Sequence, residues 1–292
     1  MSEKRTVLIT GCTDGGIGSA LAKEFHSRGF RVFATSRRLE TMKQLSKIGI
    51  ETLALDVTQS DDIRRTKENI STRTGGRLDI LINNAHIVIS ESHAVAVHEA
   101  AVSDVDMSDV RGLFETNVFA AIFMVQEFLP LLIASGKGCV VNNGSIMGVL
   151  PVPLTSTYNS TKAALHSFGN TLRVELAPFN VRVVNLITGS VQSNILKPYT
   201  FPHNSLYSSM QEEHQARYNE IEKSSMPTAE YARTVVAELT KTNPRGSLWA
   251  GSNANLSWFV ETFLPRRIMD WIVADMYGIS KLAVRLKRKS PA

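Results

Sequence analysis

Cysteine is nearly missing from this chain of 292 residues, which holds only Cys12 and Cys139. Two cysteines so far apart make neither a metal knuckle nor a disulfide framework, so a stapled secreted scaffold is excluded and a reducing intracellular compartment is expected. No metal site is expected. Long hydrophobic runs are missing too: no unbroken stretch of eighteen apolar residues is present to span a bilayer. The apolar "TVLIT" at 6–10 is too short for a secretion signal and runs straight into glycines. Internal repeats and low-complexity tracts are absent, which excludes solenoids and long linkers. Charge of one sign is scarce as well. Lys and Arg number 32 against 27 Asp and Glu, a net of +5. Part of that excess is the tail Lys281, Arg285, Lys287, Arg288 and Lys289. Such a tail reads as a solvated end, and no nucleic-acid partner is expected.

What is present is strand–helix alternation. With 43% hydrophobic residues the chain can bury a sizeable core. Apolar, β-branched runs fall at 6–10, 30–35, 50–57, 78–85, 138–145, 180–188 and, shorter, 246–251. Helical patterns fill 17–29, 107–134 and 156–178. The alternation predicts an α/β fold: a doubly wound, Rossmann-type parallel sheet of about seven strands with helices on both faces. Residues 1–254 are expected to form this domain, and the family resemblance given below implies that it is catalytic, with a substrate loop at about 190–227. Residues 255–292 are expected to add C-terminal amphipathic helices and a basic end. Ligands of such sheets bind beyond the carboxyl ends of the strands.

The turn "ITGCTDGGIGSALA" (9–22) joins the first strand to the first helix. Its glycines permit a tight turn and let a pyrophosphate approach the helix amino end. The spacing is unusual, with four residues between Gly11 and Gly16-Ile17-Gly18. An acidic residue, which would bind the ribose hydroxyls of NAD, is also missing after strand two. The sequence there is Ser36-Arg37-Arg38, and a guanidinium suits a 2′-phosphate, so NADP(H) is the expected cofactor. Asp56, after strand three, is placed to meet the adenine edge.

"STYNSTKAALHSF" (156–168) puts Tyr158 one helical turn before Lys162. By itself such a pair is common on solvent-facing helices. Hydride transfer to a carbonyl, however, needs a proton donor for the developing alkoxide. An ammonium beside a phenol is expected to lower its pKa toward the working range. Ser145, just past strand five, is placed to hold the carbonyl oxygen.

Gly11 to Gly18, "NNA" at 83–85, Asn117, Ser145 and Tyr158-x-x-x-Lys162 together resemble the short-chain dehydrogenase/reductase family over about residues 5–195. "YNSTKAAL", "LRVELAPFNVRV", "SMPTAEYA" and "LWAG" are similar to a fungal subgroup that includes NADPH-dependent 1-acyldihydroxyacetone-phosphate reductases. The resemblance implies a catalytic set of Ser145, Tyr158, Lys162 and Asn117. Lys162 would also bond the nicotinamide ribose, and Asn117 would support a water chain to it. Cofactor contacts are implied for Gly11, Cys12, Gly16, Ile17, Gly18, Ser36, Arg37, Asp56, Val57, Asn84, Ala85, Tyr158, Lys162, Val191 and Ser193. The implied activity is reduction of a ketone to an alcohol, the small-molecule partner being a lipid-like or secondary-metabolite ketone. An acyldihydroxyacetone phosphate is the alternative. A non-catalytic NADP-binding module that docks on a membrane or partner is the reading from another class.

Three departures from the family stand out: His86 replaces a glycine after "NNA", the link 89–106 is long, and Thr188-Gly189 replaces proline-glycine. On the substrate side Lys197 is a lone candidate for a phosphate. "LSWFVETFLPRRIMDWIVADMYGISKLAVRLKRK" carries Trp258, Phe259, Phe263, Trp271 and Tyr277 among charges. It suits either a headgroup layer or packing on protein. The chain is expected to be cytoplasmic, and the resemblance adds peripheral contact with endoplasmic reticulum or lipid droplets. A homodimer or homotetramer is expected.

Overall fold

The computed structural model describes residues 4–86, 101–193 and 199–289. Residues 89–100 of the long link and Lys197 lie outside them, as do the side chains of Arg288 and Lys289. Seven strands form one sheet: β1 (Thr6–Ile9), β2 (Arg31–Ser36), β3 (Glu51–Ala54), β4 (Ile80–Asn83), β5 (Cys139–Asn143), β6 (Arg182–Thr188) and β7 (Ser247–Ala250). Their order is β3-β2-β1-β4-β5-β6-β7, and every pair is parallel. The expected doubly wound sheet is present. β3 stops at Ala54, so Asp56 and Val57 lie in the loop beyond it.

Alternation along β1 shows how the two faces are filled. Val7 and Ile9 point to one side, against Leu21, Ala22 and Phe25 of α1 (Ile17–Ser27) and Tyr231, Val235 and Leu239 of α8 (Thr228–Leu239). Leu8 points to the other. There it meets Ile63 and Ile70 of α3 (Ser60–Thr74), Phe128 of α5 (Ala120–Ala134) and Leu172 of α6 (Ser156–Leu176). The short α2 is Lys43–Lys47, and α4 is Met107–Phe114. After β6 come α7 (Gln211–Ser224), α9 (Ala254–Phe263), α10 (Arg266–Met276) and α11 (Ile279–Lys289).

The helix expected at 107–134 is continuous in direction but not in winding. A π-helical stretch, Glu115–Phe119, separates α4 from α5 and contains Asn117. Such widened turns concentrate at functional sites. Met107–Ala134 is long and apolar enough to span a membrane, although charged residues interrupt it and no unbroken apolar run marks it. Half of its most apolar window is buried, with Met124, Val125, Phe128 and Leu132 packed on the sheet. It serves as a core helix.

Two rows of buried polar side chains cross the sheet. Asn83, Asn142 and Asn185 stand in register on adjacent strands. Asn83 donates to Asn142 Oδ1 at 3.0 Å, Asn142 to Asn185 Oδ1 at 3.5 Å, and Asn185 to the His166 carbonyl at 3.0 Å. On the opposite face Asn84, Asn143, Thr188 and Tyr231 are linked in turn at 2.9, 2.8 and 2.6 Å. Buried amides are costly unless paired, so each row locks its strands together. Gly169 lets α6 settle on the first row, since a Cβ there would lie 2.0 Å from Asn185 Oδ1. That close approach sets the rotation of α6, and with it the aim of Tyr158 and Lys162.

Candidate active site

Strand order reverses between β1 and β4, and the crevice beyond their carboxyl ends is where ligands of such sheets bind. The glycine turn forms one wall. Gly11 has φ +72°, and a Cβ there would lie 2.8 Å from Ala85 Cα. A Cβ on Gly18 would lie 2.4 Å from the Gly11 carbonyl oxygen. Helix α1 therefore starts pressed against the turn, and only glycine fits. Gly16, its N-cap, makes no side-chain bond, and the first turn carries no acidic residue. The Ser19 hydroxyl in that turn is buried without a hydrogen-bond partner. Open amides and a positive helix end fit an anion such as a pyrophosphate. Asn84 holds the turn by donating to the carbonyls of Thr10 (2.8 Å) and Gly11 (3.0 Å).

Cys12 departs from the expected cofactor contact. Its side chain is fully buried in the core and its amide donates to the Thr35 carbonyl at 2.8 Å. Burial pushes its thiol up to about 12. Ile17 likewise sends its side chain into the core. Ser36 is buried and bonds Thr41 at 2.9 Å, with Thr13 at 3.4 Å. The Thr13 and Thr41 hydroxyls carried no signal in the sequence because the pairing joins the glycine turn to the end of β2 and the short turn after it. Arg37 is exposed at the end of β2. Asp56 spends one carboxylate oxygen on the Thr58 amide (2.9 Å) and hydroxyl (2.7 Å), a local Asx turn. Val57 is buried and lines a cavity of about 10 Å³ with Ala85, Asn117, Asn143 and Lys162.

Val191 is buried and pairs with Met226. Ser193 lines a cleft of about 370 Å³ with Gly15, Tyr218 and Glu222. Residues of helix α7 thus face Gly15 of the glycine turn across this cleft. His86 is half-buried, its Nδ1 2.7 Å from the Asn84 carbonyl oxygen, so the ring folds back on its own loop.

Ser145, Tyr158 and Lys162 meet at the end of β5. The Ser145 hydroxyl accepts from the Met147 amide at 3.1 Å and caps a short turn. It is also hydrogen-bonded to the Tyr158 phenol, which lowers the phenol pKa, but burial is the larger effect and pushes it well up. Lys162 is 2% exposed; it donates to the Asn143 carbonyl at 2.9 Å, and its Nζ lies 5.5 Å from the Tyr158 ring centre. Burial brings its pKa down to about 7. Desolvation is the larger effect on both groups, so burial outweighs the lowering expected for the phenol. Asn117 is buried and donates to the Thr161 hydroxyl at 3.2 Å, sharing the small cavity with Lys162. His166, four residues past Lys162 on the same helical stripe, accepts from the Ser145 amide at 3.2 Å. Its spacing was the signal that could have drawn attention to it. Among the described residues no group of His, Cys, Asp and Glu could hold a metal ion.

Comparison with known proteins places this geometry. The model of the short chain dehydrogenase family matches residues 5–202. The short-chain dehydrogenase RED1 of Pyricularia oryzae is 38% identical, over 96% of this chain and 97% of its own length. A short-chain dehydrogenase structure from Streptomyces avermitilis superposes with a TM-score of 0.76 at 25% identity, covering 97% of this chain and 98% of that one. A short-chain dehydrogenase from Burkholderia cenocepacia, solved in complex with NADP, gives a TM-score of 0.71 at 21% identity over 93% and 98%. Matched along nearly its whole length by such proteins, the chain belongs to the short-chain dehydrogenase family and is an oxidoreductase.

Proposed function

We propose that the protein reduces a ketone to a secondary alcohol with NADPH. The observation that carries this is the buried Tyr158 phenol, bonded to Ser145 and one turn from buried Lys162, beside a glycine turn built for an anion. NADPH, when bound, supplies the hydride. Gly11, Gly16 and Gly18 would hold its pyrophosphate, Arg37 its 2′-phosphate, and Asn84 the turn itself. Ser145 would orient the carbonyl oxygen and Tyr158 would give it a proton. A phenol need not be acidic for this task, since an alkoxide is far the stronger base. A phenol kept protonated by burial is in the right state for reduction and the wrong one for oxidation. Lys162 and Asn117, around their shared cavity, would return the proton. The NADP-bound Burkholderia neighbour supports the cofactor. NADPH oxidation over a panel of ketones, wild type against Tyr158→Phe, tests the reading. Tight NADPH binding with no turnover of any ketone would favour a non-catalytic module instead.

Arg37→Ala is expected to raise KM for NADPH about 10–100-fold, the worth of a charge-assisted bond, and to leave NADH within about twofold. Equal losses for both cofactors would refute the 2′-phosphate role. For substrate, a specialised apolar ketone is favoured over an acyldihydroxyacetone phosphate. Leu154, just before α6, joins Tyr199, Phe201 and Met210, which precede α7, in an apolar cluster, and Leu154 holds a left-handed φ of +63° there.

We also propose peripheral membrane contact. One side of the C-terminal helices packs on α7: Leu282 joins the Met210 cluster, Arg285 pairs with Glu213, and Arg217 lies 5.2 Å over the Tyr277 ring. The other side exposes Phe263 (60%) and Trp271 (68%), with Trp258, Phe259 and Ile268. Arg266 and Arg267 flank it, a pairing that suits an anionic headgroup layer. Trp258→Ser, Phe263→Ser and Trp271→Ser combined should cut pelleting with phosphatidylserine-rich vesicles about tenfold or more. Unchanged pelleting of folded protein would sink the idea, and dimer loss without vesicle binding would assign the face to a second copy.

A further inference from the structure

Helix α6 sets Tyr158, Lys162, His166 and Asn170 on one stripe, each four residues from the last. The first two belong to the chemistry above, and Asn170 accepts from Asn185 at 3.2 Å. His166 stands between them with no role. It is 6% exposed, and its Nε2 accepts the Ser145 amide at 3.2 Å. The ring is therefore the tautomer with its hydrogen on Nδ1. That Nδ1 is buried without a hydrogen-bond partner. A leucine would fill the same space without leaving a donor stranded, so packing alone does not account for the ring.

The loop is shaped around it. Glycines flank Ser145 on both sides. A Cβ on Gly144 would lie 2.0 Å from Nε2, and one on Gly148 would lie 2.7 Å from Cε1. Ser145 itself is extended, at φ −157° and ψ 153°. Its amide is held from below by His166, and its hydroxyl is aimed above, at the Met147 amide and the Tyr158 phenol.

We infer that His166 is a positioning residue for Ser145, fixing the backbone so that the serine hydroxyl meets the phenol and the substrate oxygen. The inference rests on the Ser145-Tyr158-Lys162 reading given above. Only a neutral ring can accept the amide. Burial and the facing Lys162 charge bring His166 down to about 4. From the other elements packed on it come Gly144, Gly148, Asn185 and Leu186, none of which titrates. Acceptance therefore holds through the neutral range and is lost near pH 4.

The experiment compares wild type, Tyr158→Phe, His166→Leu and His166→Gln, using the fastest ketone of a panel that includes acetophenone and 2-nonanone. His166→Leu should lower kcat about 30–100-fold, the scale of a misplaced reacting group. Its Kd for NADPH should stay within about twofold. His166→Gln, whose amide oxygen can accept, should recover at least about tenfold of that loss. The acid limb of wild-type kcat near pH 4 should vanish in His166→Gln. A Leu variant with wild-type kcat overturns the inference. So does a Gln variant no better than Leu while both bind NADPH. Should Leu fail to bind NADPH, the Gln limb decides: its disappearance supports the role, and an unchanged limb overturns it. Tyr158→Phe as active as wild type, or no wild-type turnover, removes the catalytic reading itself, a failure distinct from that of His166.

Discussion

Tyr158→Phe is expected to lower kcat for ketone reduction about 10³-fold, within the range of general-acid catalysis, while NADPH binds as in wild type. The substitution removes one hydroxyl and leaves the ring, so no cavity opens beside the buried site. Ser145 keeps its bond from the Met147 amide, and its loop stays in place. What is lost is the hydroxyl assigned to give the substrate oxygen its proton in the proposed mechanism. Because burial holds the phenol protonated, the effect should be similar across the neutral range rather than confined to one side of a titration. Initial rates of NADPH oxidation, with cofactor affinity followed by nicotinamide fluorescence, give both halves of the result. Retention of more than about a tenth of wild-type kcat would mean that another group delivers the proton.

Lys162→Met should do two opposite things: lower kcat/KM about 10²–10⁴-fold and make the cofactor-free protein more stable below pH 7. Burial takes the ammonium from its usual 10.5 to about 7, which corresponds to a cost on the order of 5 kcal/mol when charged. Methionine fills similar space without that cost. Against this, the Asn143 carbonyl loses its donor, a penalty of about 1–3 kcal/mol. The net gain is about 2–4 kcal/mol. The sign with pH follows from the depressed value. Below about 7 the lysine is charged in both folded and unfolded chains, and the full cost is present. Between 7 and 10.5 the folded protein releases its proton first, so wild-type stability rises with pH and the advantage of methionine shrinks. Urea melts at pH 6 and pH 9.5 measure this directly. A variant less stable than wild type at pH 6 would show that the lysine is not a destabilised buried charge. Function held at the expense of stability is the pattern expected of a catalytic group.

Particular residues show what could be read in advance. Gly11 and Gly18 were legible because their constraint is local: a turn with φ +72° and a contact of 2.4 Å tolerate no side chain. Tyr158 and Lys162 were legible because helical spacing puts them on one stripe. The strands were legible because a sheet covered on both faces needs unbroken β-branched runs. Cys12 was not, since being next to Gly11 in sequence says nothing about which way its side chain turns. The local bond of Asp56 to Thr58 was not legible either, because β3 ends at Ala54 and the loop that follows sets its own turn. The amide rows were invisible because Asn83, Asn142 and Asn185 become neighbours only when β4, β5 and β6 pair in one register.

Composition, periodicity and a handful of short motifs thus predicted the sheet and the glycine turn, and singled out the residues proposed to react. Each of these depends on forces acting within a few residues. Only the tertiary structure showed the burial of Tyr158 and Lys162, the bond from the Ser145 amide to His166 and the docking of the last helices on α7. Burial and long-range contact set all three, and neither is a property of any short stretch of chain.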